Sequence, residues 1–158
     1  MPDRLPERRH LKRLPFVWAD PAIFYVTTNV IRQQRLLVPG LSVAVADALR
    51  DAGERTGWTV GRYVVMPDHV HFFCEDRQRR TPLSDFVGGF KQMVTRRAWA
   101  QGWSGRLWQA EFFDHVLRSE ESHAQKWEYV RLNPVRRGLC ATPDEWPYQG
   151  EIGYLAGH

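Results

Sequence analysis

Two strand-like segments with only a two-residue break between them constrain the fold of this chain more than any other feature. The first segment runs from Trp58 to Met66 and ends at Pro67-Asp68. The second, from His69 to Glu75, follows at once with the sequence HVHFFCE. Runs of β-branched and aromatic residues form strands, and so short a connection joins antiparallel neighbours. The sequence therefore predicts a β-hairpin, and with it an antiparallel sheet.

Helix and strand patterns alternate around this hairpin. A strand is predicted over 23–30 (IFYVTTNV), and apolar residues at helical spacing predict a helix over 41–52. A second helix starts near Leu83, and a fourth strand covers 111–118. A last helix follows and ends before Pro134, which disfavours helical geometry at the preceding residue. The order predicts an α+β fold, a ferredoxin-like antiparallel sheet with helices on one face plus a C-terminal helix.

The length and composition favour one folded domain. The 158 residues are 43% hydrophobic and 13% aromatic, which excludes a disordered tail or linker. We predict a single domain over 1–158, with a basic N-terminal arm at 1–15 and a C-terminal tail at 140–158. Apolar runs stay well short of the roughly 20 residues of a membrane helix. The first residues lack the apolar stretch of a secretory signal, and two cysteines make no disulfide framework, so we expect a cytoplasmic protein.

The basic residues favour a nucleic-acid partner. Lysine and arginine number 22 against 18 acidic residues, and just three of the 22 are lysines. The planar fork of arginine suits bidentate contacts to phosphate and stacking on bases. A single cluster is equally typical of a solvated face, but several in a chain with seven tryptophans favour nucleic acid. The clusters are Arg8-Arg9 with Lys12-Arg13, Arg77 with Arg79-Arg80, Arg96-Arg97, and Arg131 with Arg136-Arg137.

Two pairs of residues carry candidate chemistry. His69 and His71 share one face of a strand, roughly 6.6 Å apart along it, so two imidazoles could bind one divalent cation. Tyr129 and Asn133 stand four apart and share one helical face. An Asn oxygen is a donor that Mg²⁺ or Mn²⁺ accepts, and a tyrosine one turn away could reach a phosphate on that metal. Alone, each pair also fits a structural role: packed histidines, and a core tyrosine with an Asn that ends a helix.

Three segments together resemble a known family. They are MPDHVHF at 66–72, WQAEFFDHVLR at 108–118 and YVRLNPVRRGL at 129–139. In this order they resemble the HUH single-strand tyrosine transposases of insertion sequences, and most closely the REP-associated tyrosine transposases. The resemblance extends from the basic arm to Trp146-Pro147-Tyr148, nearly the whole chain.

The resemblance implies a fold, a mechanism and a set of site residues. It implies the HUH nuclease fold, with His69, His71 and Asn133 as ligands of Mg²⁺ or Mn²⁺ and Tyr129 as the nucleophile. The insertion-sequence enzymes usually carry Gln at the position of Asn133. The implied reaction cleaves and rejoins single-stranded DNA next to REP-like hairpins through a 5′-phosphotyrosine. A monomer is expected in preference to a dimer, associated with the nucleoid.

Further residues are candidates for supporting roles. Asp114 or His115, in the central segment, is predicted to orient a metal ligand. Trp99, Trp103 and Trp108 are candidates for stacking on unpaired bases, although a core role fits them too. The predicted DNA-binding residues are Arg8, Arg9, Lys12, Arg13, Lys91, Arg131, Arg136 and Arg137.

Three other functions fit parts of the pattern. The first is a domesticated protein that binds hairpin DNA sequence-specifically with little or no catalysis; the complete set of His69, His71, Tyr129 and Asn133 disfavours it. The second is a metal-dependent phosphohydrolase whose nucleophile is water. The third is a replication initiator or relaxase, which shares the histidine pair but is usually a larger chain.

Overall fold

The computed structural model describes residues 22–31, 37–78, 80–118 and 120–155. The predicted basic arm, with Arg8, Arg9, Lys12 and Arg13, lies outside the described residues. Within them, no helix is both long enough and apolar enough to cross a membrane. The elements are β1 (Ile23–Val30), α1 (Ser42–Thr56), β2 (Trp58–Val65), β3 (His69–Asp76), α2 (Leu83–Ala100), β4 (Trp108–Leu117), α3 (Glu120–Arg131), α4 (Asn133–Arg136) and β5 (Gln149–Glu151).

The strands form one antiparallel sheet in the order β4-β1-β3-β2-β5. This confirms the predicted α+β architecture and the β2–β3 hairpin, whose turn is closed by a 2.8 Å bond from the Met66 amide to the His69 carbonyl. The fourth strand begins at Trp108, three residues before the predicted start, because Trp108 pairs with Val30 beyond a register shift in β1. The predicted C-terminal tail contributes β5, which pairs with β2.

The two faces of the sheet are different. We call the side covered by α1 and α2 the helix face; there Phe72 of β3 packs 6.0 Å from Phe86 and 5.6 Å from Phe90, ring centre to ring centre. All three rings are fully buried, and each burial stabilises the fold by roughly 1.5–3 kcal/mol. Because side chains alternate along a strand, His69, His71 and Phe73 lie on the other side, the site face. There Phe73 contacts Trp127 of α3, so the C-terminal helix crosses the face that α1 and α2 leave open.

The helix that carries Tyr129 stops where the sequence predicts. α3 ends at Arg131 and the four-residue α4 begins at Asn133, so the helix is interrupted at Leu132, two residues before Pro134. Proline fits the first turn of α4, where its missing N–H has no helical partner to lose. Gly138 follows with φ of 71°, a left-handed conformation that glycine adopts without strain. The break places Asn133 at the start of a new helix.

Candidate active site

Two histidines of β3 and an asparagine at least 62 residues later in the sequence converge on the site face. The Nε2 atoms of His69 and His71 lie 3.0 Å apart. The Asn133 amide Nδ2 lies 3.1 Å from the first and 2.9 Å from the second. β3 presents the two imidazoles on one face, and α4 brings its first residue over them. The structure therefore assembles the three residues that the sequence singles out.

A carboxylate fixes the orientation of His69. The Nδ1 of His69 lies 2.7 Å from Oδ1 of Asp68, and Arg137 donates to the same oxygen over 2.8 Å. Burial alone would raise the pKa of Asp68, but the hydrogen bonds from His69 and Arg137 outweigh it and lower that pKa. Burial also lowers the pKa of His69 despite Asp68. A neutral His69 that donates from Nδ1 to Asp68 directs its Nε2 lone pair towards His71 and Asn133.

Two hydroxyl groups of β1 fix the orientation of His71. The hydroxyl of Tyr25 lies 2.7 Å from the His71 Nδ1, and that of Thr27 lies 2.9 Å from it. The Tyr25 ring stacks on the imidazole at 5.5 Å. Burial and the neighbouring His69, Arg136 and Lys126 lower the pKa of His71 to about 3, so the ring is neutral at neutral pH. Neutral imidazole is the form that binds a metal ion.

The donor set fits a hard divalent cation. An ion with bonds of about 2.1 Å to several donors requires adjacent donors to lie about 3.0–3.4 Å apart. The triangle of His69, His71 and Asn133 has sides of 2.9, 3.0 and 3.1 Å, which is compact enough for one ion to contact all three side chains. A half-turn of the Asn133 amide puts its oxygen where Nδ2 lies. The described ranges hold no cluster of three or more His, Cys, Asp or Glu suited to a metal. The set that could hold one is the two imidazoles together with the Asn133 amide.

The candidate nucleophile is accessible and has cations beside it. Tyr129 is 60% exposed in the last turn of α3. The guanidinium of Arg136 lies 3.9 Å from the centre of its ring and also donates to the Tyr129 carbonyl. The ammonium of Lys126 lies 5.8 Å from the Tyr129 ring and 5.0 Å from the Tyr25 ring. Lys126 thus lies between the ring of the candidate nucleophile and the ring of Tyr25, whose hydroxyl contacts His71. Its position three residues before Tyr129, on the same helical face, was the signal in the sequence.

The predicted DNA-binding residues occupy different surfaces. Arg136 and Arg137 belong to the site, the first at Tyr129 and the second at Asp68. Arg131 forms an ion pair with Glu128 over 2.7 Å on the outside of α3. Lys91 lies on the helix face, where its ammonium donates to the carbonyls of β4 residues 109 and 111. Lys91 therefore lies on the side of the sheet away from the histidines. Its contact with DNA stays a prediction.

The prediction that Asp114 orients a metal ligand is wrong. Asp114 is the cross-strand partner of Val26, and paired residues project to the same side of a sheet. Val26 in turn pairs with Phe72, so Asp114 lies on the helix face. His115 pairs with Tyr25 and shares the site face, but β1 separates it from β3. The orienting groups are Asp68, Tyr25 and Thr27, and the alternation of polar residues in β1 was the available signal.

Known proteins show the same sequence pattern and fold. The model of the family described as Transposase IS200 like matches residues 24–131. The chain is 24% identical to the REP-associated tyrosine transposase of Escherichia coli (strain K12) over 125 residues, 79% of this chain and 73% of the relative. It is 29% identical to the ISDra2 transposase TnpA of Deinococcus radiodurans over 105 residues, 62% and 74% of the two chains. A solved REP-associated tyrosine transposase bound to a REP hairpin shares the fold with a TM-score of 0.73 at 17% identity, over 94% of this chain and 95% of that one.

Proposed function

The chain belongs to the IS200-like transposase family, and from this premise we propose that it cleaves and rejoins single-stranded DNA next to hairpin sequences with Tyr129 as the nucleophile. One observation carries the proposal: His69, His71 and Asn133 form a polar triangle, and Asn133 follows by four residues an exposed tyrosine, Tyr129, that has two cations beside it. A protein that only binds DNA has no need of histidines oriented by buried hydrogen bonds. This arrangement favours catalysis over the alternative of a hairpin-binding protein.

The three donors would hold a divalent cation, Mg²⁺ or Mn²⁺. When bound, the cation supplies Lewis-acid polarisation of a non-bridging oxygen of the scissile phosphate. The remaining contributions come from the chain itself. Asp68 holds His69 in place, and Tyr25 and Thr27 do so for His71, so the donors are preorganised before DNA arrives.

The proposed step is an in-line displacement at phosphorus. The phenolic oxygen of Tyr129 forms a bond to phosphorus while the bond from phosphorus to the 3′ oxygen breaks. The phenol loses its proton and the departing 3′ oxygen gains one, which leaves a 5′-phosphotyrosine and a free 3′-OH. Tyrosine is mostly protonated at neutral pH, so positive charge from Arg136 and Lys126 is needed to stabilise the developing phenolate. A 3′-OH can reverse the step without ATP, because the phosphotyrosine ester retains the energy of the phosphodiester bond that was broken.

The proposed substrate is a DNA hairpin with a single-stranded extension. A relative of the same fold has been solved bound to a REP hairpin, and the arginine-rich composition of this chain suits phosphate contacts. Within one chain, the Lys126 ammonium lies over both the Tyr129 ring and the Tyr25 ring that stacks on His71, which supports action as a monomer.

A cleavage assay with a tyrosine control tests the proposal. A hairpin oligonucleotide with single-stranded tails and Mn²⁺ should be cleaved by the wild-type protein, and Tyr129→Phe should abolish cleavage while the ring still packs against Arg136. Tyr154→Phe is the matched control, because this tyrosine is 80% exposed in the C-terminal segment. Cleavage by Tyr129→Phe at the wild-type rate would point to water as the nucleophile and overturn the proposal.

A further inference from the structure

The β4 part of the site face carries exposed side chains. α3 lies over β3 and β2, where Trp127 contacts Phe73 and the Arg62 guanidinium. Beyond β1 the face continues onto β4, whose residues Phe113 and His115 are exposed. Phe113 is 49% exposed, although it projects from the middle of a strand. An apolar ring thus faces solvent beside the candidate active site.

We propose that Phe113 stacks on an unpaired base of the DNA strand whose phosphate lies at Tyr129; this rests on the proposed function. The register places the ring near the chemistry. Thr27 is the cross-strand partner of both His71 and Phe113, so the three residues form a row across β3, β1 and β4. Two strand spacings put His71 and Phe113 about 10 Å apart. At that distance a base beside the scissile phosphate can reach the ring.

The neighbouring aromatic ring is already covered. Tyr25 stacks on His71 and has the Lys126 ammonium over it, 5.0 Å from the ring centre. Phe113 meets Tyr25 edge to face at 6.2 Å. This edge contact supports the Phe113 ring from the side, and half of its surface is left to a ligand. Among the described Phe, Tyr and Trp residues of the β1–β4 part of the site face, Phe113 is therefore the one that can take a base.

The cations beside the two tyrosines favour a nucleotide as the occupant. Lys126 and Arg136 lie at the two tyrosines, where they can contact the backbone phosphates of a strand that crosses towards β4. An aromatic surface next to cations is the combination that single-stranded nucleic acid binds. A second copy of a chain with net charge +4 would instead bring two basic surfaces together. The pattern favours DNA over self-association.

Affinities for two matched DNA probes test this contact. One probe is a DNA hairpin with single-stranded thymidine tails, and the other has the same hairpin with abasic tails. Both are titrated with the full chain in EDTA, so that no cleavage occurs. Phe113→Ala should weaken binding of the thymidine probe by about tenfold and leave the abasic probe unchanged, because stacking on one base contributes about that factor. Phe113→Trp should keep the wild-type affinity, and so should Tyr154→Ala, an exposed aromatic in the C-terminal segment.

Three outcomes would overturn the inference. One is an equal loss of affinity for both probes, which would mean that Phe113 does not contact a base. Another is no loss for either. The third is an unchanged affinity with a changed molar mass in light scattering, which would make this face an interface between copies. The proposed function can be refuted independently of this contact. If Tyr129→Phe still cleaves DNA while Phe113→Ala still weakens binding of the thymidine probe, the base contact is supported and the tyrosine mechanism is refuted.

Discussion

The helix face and the site face of the sheet are built from alternate residues of the same strands, yet they have different roles. Phe72 points into a dry aromatic cluster with Phe86 and Phe90. His71, its immediate neighbour, points to the other side and is held by the hydroxyls of Tyr25 and Thr27. One face supplies stability and the other holds polar groups in fixed positions. Substitutions one residue apart should therefore affect different properties.

The largest expected effect is the loss of cleavage on the site face. His69→Ala or His71→Ala removes a proposed metal donor, so metal-dependent cleavage should fall to background while hairpin binding is largely kept. Asn133→Ala should be milder, because a water molecule can replace its oxygen. Gel cleavage assays and calorimetric titration with Mn²⁺ measure the two properties. A histidine variant that cleaves at the wild-type rate with metal present would refute the site.

The adjacent residue on the helix face should behave in the opposite way. Phe72 is fully buried, so Phe72→Ala should lower the free energy of unfolding by about 3–5 kcal/mol through lost burial and a residual cavity. Urea denaturation measures this change. The molecules that remain folded should cleave DNA normally. A folded Phe72→Ala protein without activity would show that the two faces are not independent.

A smaller effect is expected from the carboxylate behind His69. Asp68→Ala removes the acceptor of the His69 Nδ1 proton and the partner of Arg137, and should weaken Mn²⁺ binding about 10- to 100-fold. Asp114→Ala is the matched control, since Asp114 lies on the helix face. Equal effects of the two substitutions on Mn²⁺ binding would contradict the assignment of faces.

The last expected effect is a dependence of stability on pH, spread over several pH units. The pKa of His71 is lowered to about 3 in the folded protein, below the value of about 6.5 in an unfolded chain. The unfolded state then binds more protons between these values, so the free energy of unfolding should fall as the pH drops from about 6.5 towards 3. This group contributes at most about 1.4 kcal/mol per pH unit.

The His71 contribution can be isolated by substitution. In EDTA, His71→Asn should show a shallower fall of the free energy of unfolding with decreasing pH than the wild type. Urea denaturation at a series of pH values measures both proteins. Identical pH profiles would mean that burial of the imidazole does not penalise its charged form.

Local patterns in the sequence were sufficient to predict much of this architecture. The hairpin around Pro67-Asp68 and the shared face of His69 and His71 follow from strand periodicity within a few residues. The helical spacing of Tyr129 and Asn133 predicts that they are neighbours, although the chain changes from α3 to α4 between them. Each of these features depends on contacts that are close in sequence.

Features that depend on register between distant strands were not predictable in this way. Alternation shows that Asp114 and His115 face opposite sides, but which side holds the histidines depends on the pairing of β4 with β1. The same pairing brings Phe113 beside Thr27, whereas the sequence drew attention to the tryptophans. Trp108 is buried and donates to the Lys91 carbonyl, so it belongs to the core. The three-residue β5 is too short to show a periodic pattern.

The attachment site of the DNA tests the central claim most directly. The wild-type protein is incubated with the tailed hairpin and Mn²⁺, denatured and digested, and the modified peptide is sequenced by mass spectrometry. The account predicts a nucleotide joined through its 5′-phosphate to Tyr129, in the peptide that also contains Trp127. Attachment to Tyr25, Tyr148 or another residue, or cleavage without any covalent adduct, would contradict it.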